Sequence, residues 1–235
     1  MKIDIVGSAC TWVKPLSTSF IINDEILFDC PQGSFKTLMN DYKLDKIKYI
    51  IITHFHSDHF MDLHLVFDYL FRNFPQSRFT VIAPKGCFER LCSLFRLIEV
   101  AYLEEYLKER VCFIDSENGK KIKLGNYNFK CFKMVHGSLD AYGFIIDDGV
   151  KVGFTGDTSM CNNVHKILKK SKACFIDTAN FEIDKKHLSV SEVMNLKQEY
   201  PDCKLHMVHI CTPSAKEITK LGETYPKQAE IIEIE

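Results

Sequence analysis

No stretch of this 235-residue chain approaches the ~20 consecutive apolar residues of a membrane-spanning helix, which excludes such a helix. Charge of one sign is also missing. Thirty Lys and Arg stand against 31 Asp and Glu, a net charge of −1. No global basic field therefore draws in nucleic acid, and a large RNA held by charge alone is not expected. A small nucleotide needs no such field. The start, MKIDIVGSACTW, lacks the apolar core of a secretory signal because Asp4 interrupts it. The ten cysteines form no CxxC pair, and Cys87 and Cys92 are the closest two. Disulfide frameworks belong to small secreted domains. The expectation is a cytoplasmic protein whose cysteines stay reduced as small hydrophobes, Cys30 and Cys211 included. No segment reads as a linker or low-complexity tract.

What is present suffices for a sizeable core, since 46% of the residues are hydrophobic. KIDIV, SFII and EILF read as strands, the last two joined by a turn at Asn23-Asp24. SFKTLMNDY fits an amphipathic helix. FMDLHLVFDYLFRNF places Leu63, Val66, Phe67 and Leu70 on one helical face. FTVIAP reads as a strand and GCFERLCSLFRLI as a helix. VCFID, KIKLG, YNFKCFKMVH and the hairpin AYGFIIDDGVKVGFTGD, turning at Asp148-Gly149, supply more strands. Helix, strand, helix and strand follow in NNVHKILKKS, ACFIDTA, SVSEVMNLKQEY and KLHMVHI. The expected fold is α/β of the α+β type: two mixed sheets packed face to face with helices outside, an αββα sandwich. One domain over residues 1–235 is expected. Residues 212–235 are the least readable, with AEIIEIE either a last strand or a frayed end.

The chemistry concentrates at positions 53–60, THFHSDHF. KIKYIIITH leads into it, a β-branched and aromatic run that reads as a strand buried on both faces. Three histidines and an aspartate, His54, His56, Asp58 and His59, thus sit where a buried strand gives way to a loop. Such a compact His/Asp cluster is what a metal site requires. Four further residues stand at element ends: His136 after FKCFKMV, Asp157 after VGFTG, His187 before a helix, and His209 after KLHMV. His206 also lies near a strand end, but alternation points it away from His209. His64 and His165 fall on helices and read as structural or exposed. Ser189 to Glu192 forms an S-x-x-E capping box, which would hold His187 just outside a helix N-terminus.

HFHSDH matches the HxHxDH signature of the metallo-β-lactamase fold superfamily, with the later ligands in order. ILFDCPQG, VIAPKG and VGFTGDT resemble segments of its ribonuclease Z-like and small phosphodiesterase branch over about residues 1–211. The resemblance implies two divalent metal ions, zinc first and manganese or iron as alternatives. It implies His54, His56 and His136 at one ion, Asp58, His59 and His209 at the other, and Asp157 bridging. Asp29 would orient a ligand. Asp58 and His187 are the expected catalytic residues, with a metal-activated water attacking phosphorus and His187 protonating the departing oxygen. Four departures qualify this. A single hairpin fills the interval from His136 to Asp157, leaving no room for the arm that grips transfer RNA in ribonuclease Z. Pro31 and Gln32 stand where the branch has Gly and Glu. Asp62 replaces a glycine. Thr178 replaces the acidic partner of the proton-donating histidine, and Asp177 is expected to point away from it. The expectation is a binuclear phosphodiesterase acting on a nucleotide, cyclic phosphate or short oligonucleotide, with no membrane partner and homodimers known among relatives. Alternatives are a lactonase, thioesterase or β-lactamase-like enzyme on the same fold, or a metal-binding regulatory protein without catalysis.

Overall fold

The computed structural model describes residues 1–180 and 182–235. In chain order the elements are β1 (Lys2–Gly7), β2 (Ser19–Ile22), β3 (Ile26–Phe28), α1 (Ser34–Asp41), β4 (Tyr49–Ile51), α2 (Ser57–Phe60), α3 (Leu63–Asn73), β5 (Phe79–Ala83), α4 (Cys87–Leu97), α5 (Leu103–Arg110), β6 (Val111–Asp115), β7 (Lys121–Leu124), β8 (Tyr127–Lys133), β9 (Tyr142–Asp147), β10 (Lys151–Phe154), α6 (Asn162–Leu168), β11 (Ala173–Asp177), α7 (Val190–Glu199), β12 (Lys204–Val208), α8 (Thr212–Lys220) and β13 (Ile231–Glu233).

Two mixed sheets result, ordered β13-β1-β2-β3-β4-β5-β6 and β12-β11-β10-β9-β8-β7. Antiparallel pairs β1–β2 and β2–β3 open the first sheet, and β3 to β6 continue it in parallel. The second sheet is antiparallel from β7 to β10 and parallel from β10 to β12. Three apolar clusters define the layers. Ile5, Phe20, Phe28, Phe129, Phe144, Phe154 and Phe175 interlock between the sheets. The four helical residues Leu63, Val66, Phe67 and Leu70 join Leu91, Phe95 and Leu107 to cover the first sheet's outer face. Val164, Ile167, Val193 and Ile218 cover the second. This is the expected αββα sandwich.

Asn23 and Asp24 both take positive φ, 49° and 60°, the backbone of a two-residue turn between right-twisted strands. Ser189 caps α7 reciprocally with Glu192. Helix α5 has no counterpart in the sequence reading, because LEEYLKER is mostly charged and shows only a narrow apolar stripe, Leu103, Tyr106 and Leu107. AEIIEIE resolves as a strand: β13 pairs antiparallel with β1, Ile3 opposite Ile232.

Strand direction decides where polar side chains gather. Strands β3, β4, β8, β10, β11 and β12 bring their C-terminal ends together at one edge of the sandwich. Asp29, His54, His136, Asp157, Asp177 and His209 all stand on or just beyond those ends.

Candidate metal centre

Beyond β4 the chain stays buried through Ile52, Thr53 and His54 before α2 begins at Ser57. The single turn of α2 then carries Asp58 and His59 inward. Backbone contacts brace this turn from the β3–α1 segment: Cys30 N–H donates to the His59 carbonyl (2.7 Å) and Gln32 N–H to that of Ser57 (3.1 Å). Asp62 accepts from the Phe35 N–H at the start of α1 (2.9 Å). The Gln32 backbone and the Asp62 carboxylate thus tie the turn bearing Asp58 and His59 to its neighbour.

Asp29 lies wholly buried below the turn, its backbone left-handed at φ 54°. Its carboxylate accepts from the Thr53 N–H and hydroxyl (2.8 Å each) and from His59 Nδ1 (2.7 Å). Burial raises its carboxyl pKa against the pull of His59 and Thr53. Holding Nδ1 fixes the ring so that Nε2 faces the site. The Lys186 carbonyl does the same for His136, accepting from its Nδ1 at 2.8 Å.

The ring nitrogens converge on one carboxylate. Oδ2 of Asp157 lies 3.3 Å from His59 Nε2, 3.4 Å from His209 Nε2, 3.8 Å from His54 Nε2 and 3.9 Å from His136 Nε2. His56 Nδ1 stands 3.2 Å from His136 Nε2. Asp58 Oδ2 is 3.8 Å from His59 Nε2 and 3.9 Å from His209 Nε2. His54, His56, His136 and Asp157 form one group of ligand-competent atoms mutually within 4.8 Å; Asp58, His59 and His209 form another. Asp157, His187 and His209 form a third such group, overlapping both. His209 reaches the site because the chain turns at φ 61° just past β12. His206 instead faces the inter-sheet core, stacked on Phe175 at 4.9 Å, and its burial depresses its pKa to about 4.

These residues fit metal ions. Nε2 of the His54 ring is buried without a hydrogen-bond partner, which is costly unless something else meets its lone pair. Burial, then the neighbouring His59, holds the His54 imidazole neutral. Burial also opposes charge on His59, but Asp157 and Asp29 outweigh it and push its pKa well up. Burial likewise disfavours the Asp157 anion, and His209 and His59 outweigh it and hold the carboxyl well below its usual range. Imidazole and carboxylate in this mixture suit zinc, and also manganese or iron.

A pocket of about 460 Å³ opens over the cluster. His187 lines it, 3.9 Å from Asp157 and with Nδ1 3.0 Å from Asp177 Oδ2. The expectation that Asp177 points away is corrected. Alternation along β11 carries Ala173, Phe175 and Asp177 to the inter-sheet side, which at the strand's end is the site side. Asp177 is further fixed by the N–H groups of Thr158 (2.9 Å) and Ala179 (3.1 Å). Burial lowers the His187 pKa, yet Asp177 prevails and raises it to about 9. Asp184 holds the loop by accepting from the Lys186 and His187 N–H groups.

Two features have no counterpart in the sequence reading. Thr11, in the loop after β1, donates its hydroxyl to Asp58. Cys10 and Cys211 form a disulfide, Cα–Cα 5.4 Å, beside the pocket. The expectation of ten reduced cysteines is corrected at this pair. No local signal marks it, since 201 positions separate the two and pairing is set by the fold. His64 and His165 lie away from the site, bonded to the Met61 carbonyl and the Tyr200 hydroxyl.

A family model described as the beta-lactamase superfamily domain matches residues 25–210. Ribonuclease Z from Staphylococcus saprophyticus is 28% identical over 127 residues, 53% of this chain and 40% of that protein. The match thus spans about two fifths of that relative. Among solved structures, a diphosphatase from the PhnP family superposes with a TM-score of 0.80 at 16% identity, covering 100% of this chain and 98% of that one. The short form of human tRNase Z gives 0.76 at 18% identity, covering 100% of both.

Proposed function

The chain belongs to the beta-lactamase superfamily domain family, and from that premise we propose that it is a binuclear metal-dependent phosphodiesterase acting on a nucleotide, cyclic phosphate or short oligonucleotide. The observation that carries the reading is the convergence of His54, His56, Asp58, His59, His136 and His209 around Asp157, with the His187–Asp177 pair beside them. His54, His56 and His136 would hold one ion, Asp58, His59 and His209 the other, and Asp157 would serve both. Bound there, the ions would supply Lewis acidity toward a phosphoryl group and a water of lowered pKa.

The chain's own residues do the rest. Asp29, Thr53 and the Lys186 carbonyl hold ring orientations fixed before substrate arrives. Thr11 orients Asp58. His187, hydrogen-bonded to Asp177 at the pocket wall, would donate its proton to the departing alkoxide oxygen. A strongly basic alkoxide needs that proton, whereas a stabilised phenolate does not. The products are an alcohol and a phosphate monoester. The reading treats residues 1–235 as one hydrolase domain. It keeps the cytoplasmic setting expected from the sequence, where the Cys10–Cys211 pair would be open to reduction.

The test is a leaving-group series on zinc-loaded protein. His187→Ala is expected to cost about 10²–10⁴-fold on a diester that loses an alkyl alcohol, the usual weight of general acid catalysis. It should cost much less on bis-p-nitrophenyl phosphate. An equal loss on both would remove His187 from the role of acid.

A further inference from the structure

Trp12 is the only tryptophan in the chain, and 90% of its surface is exposed. It is also one of the residues lining the pocket over the metal cluster. Solvent-exposed indole is unusual, because covering so large an apolar side chain is strongly favourable. Nor does the ring stand out on a loose loop. Ala9 N–H donates to the Leu16 carbonyl and Thr18 N–H to that of Ala9 (3.1 Å each), closing the loop on itself. Cys10 is tied to Cys211 through sulfur, and its N–H donates to the Ile210 carbonyl (3.1 Å). Thr11, one residue before the tryptophan, is fastened to Asp58. The loop is thus pinned both to the turn bearing Asp58 and to the segment bearing His209, and it carries an exposed indole at the pocket wall.

We propose that Trp12 is a stacking platform for the planar base of the substrate, so that the pocket selects base-bearing phosphodiesters over base-free ones. The inference rests on the phosphodiesterase reading and names its substrate class. Trp12 lines the same cavity as Asp58, His136, Asp157 and His187, so a base on Trp12 and a phosphate over the cluster would share one pocket. Lys186, also on the pocket wall, supplies positive charge to the same cavity. Stacking on an aromatic face tolerates any base, since every base has a π-face. The platform would confer preference for a base without choosing which.

A single tryptophan makes the test direct, because all indole emission reports this residue. Zinc-loaded protein is titrated with adenosine 5′-monophosphate and, separately, with ribose 5-phosphate. Saturable quenching by the first and none by the second is expected. In parallel, kcat/KM is measured for a dinucleoside phosphate and for a diester of two sugars. Trp12→Ala should lower the ratio of the two by about 5- to 150-fold, mostly through KM, and Trp12→Phe should restore most of it. No quenching together with an unchanged ratio overturns the platform. Emission that shifts with protein concentration rather than with nucleotide also overturns it, by showing the indole covered by a second copy. Hydrolysis of bis-p-nitrophenyl phosphate separates the two claims. Turnover without quenching removes the platform alone, whereas quenching without turnover removes the diesterase reading and leaves a nucleotide site.

Discussion

His187 and Asp177 show how one carboxylate sets the working state of an imidazole. Burial alone would strip the proton from His187; Asp177 at 3.0 Å reverses that and raises the pKa to about 9. A pKa raised in the folded state contributes stability that is complete below the ordinary value near 6.5. That stability is lost as pH rises through about 9. Asp177→Asn removes the largest raising charge and leaves burial opposed only by Asp157 and Asp184. In metal-free protein the imidazole should then release its proton at lower pH than in the parent, as read by the ring-carbon NMR shift of His187. An unchanged titration would show that Asp177 does not set the charge. At this scale much of the site is legible in the sequence. His54, His56, Asp58 and His59 declare themselves by crowding, and His136, Asp157 and His209 by standing at strand ends. Asp177 misleads when alternation is counted from Thr178 rather than from the core-facing Phe175. Thr11 carries no signal at all, since a lone threonine in a loop looks like any other.

Strand ends build most of the centre, and the single turn of α2 adds Asp58 and His59. Six strands deliver ligand or orienting residues at one edge, and the connections there are tight. Gly156 precedes Asp157 with φ +58°, and a β-carbon on it would lie 3.0 Å from the Tyr142 carbonyl oxygen and 3.1 Å from the Thr53 side chain. Gly156→Ala is therefore expected to cost about 1–3 kcal/mol. For a chain of this size each kcal/mol lowers Tm by about 2–4 °C. Because the strain falls on the turn holding Asp157, zinc affinity should fall as well. Calorimetry with a zinc titration checks both, and a variant as stable and as metal-avid as the parent would contradict this account of the turn. Hairpins are the most legible elements, since Asn23-Asp24 and Asp148-Gly149 carry turn chemistry in the residues themselves. Helix α5 is invisible for the opposite reason: its surface is charged nearly all round, and packing rather than pattern places it.

Across the whole molecule the two chain ends come together. The Met1 amino group donates to the Ile234 carbonyl at 2.7 Å, β13 extends the first sheet, and the disulfide ties the loop after β1 to the start of α8. Under denaturing, non-reducing conditions, eight thiols should react with a thiol reagent, and ten after reduction. Ten in both states would contradict the Cys10–Cys211 link in the protein as isolated. Pairing across such a distance is a property of the fold, so composition and spacing point the other way. The two-layered sandwich is readable because strand and helix patterns alternate clearly in the second half. The parallel joining of β3 to β6 is less so, since register between distant strands leaves no local mark. The account stands or falls on Asp157 at the centre of a hydrolytic metal site. The decisive measurement is hydrolysis of bis-p-nitrophenyl phosphate by the zinc-loaded protein beside its Asp157→Ala variant, each with metal content determined. Turnover by the parent and its loss in the variant are expected. A metal-replete parent that leaves the diester intact but opens lactones or thioesters would contradict it.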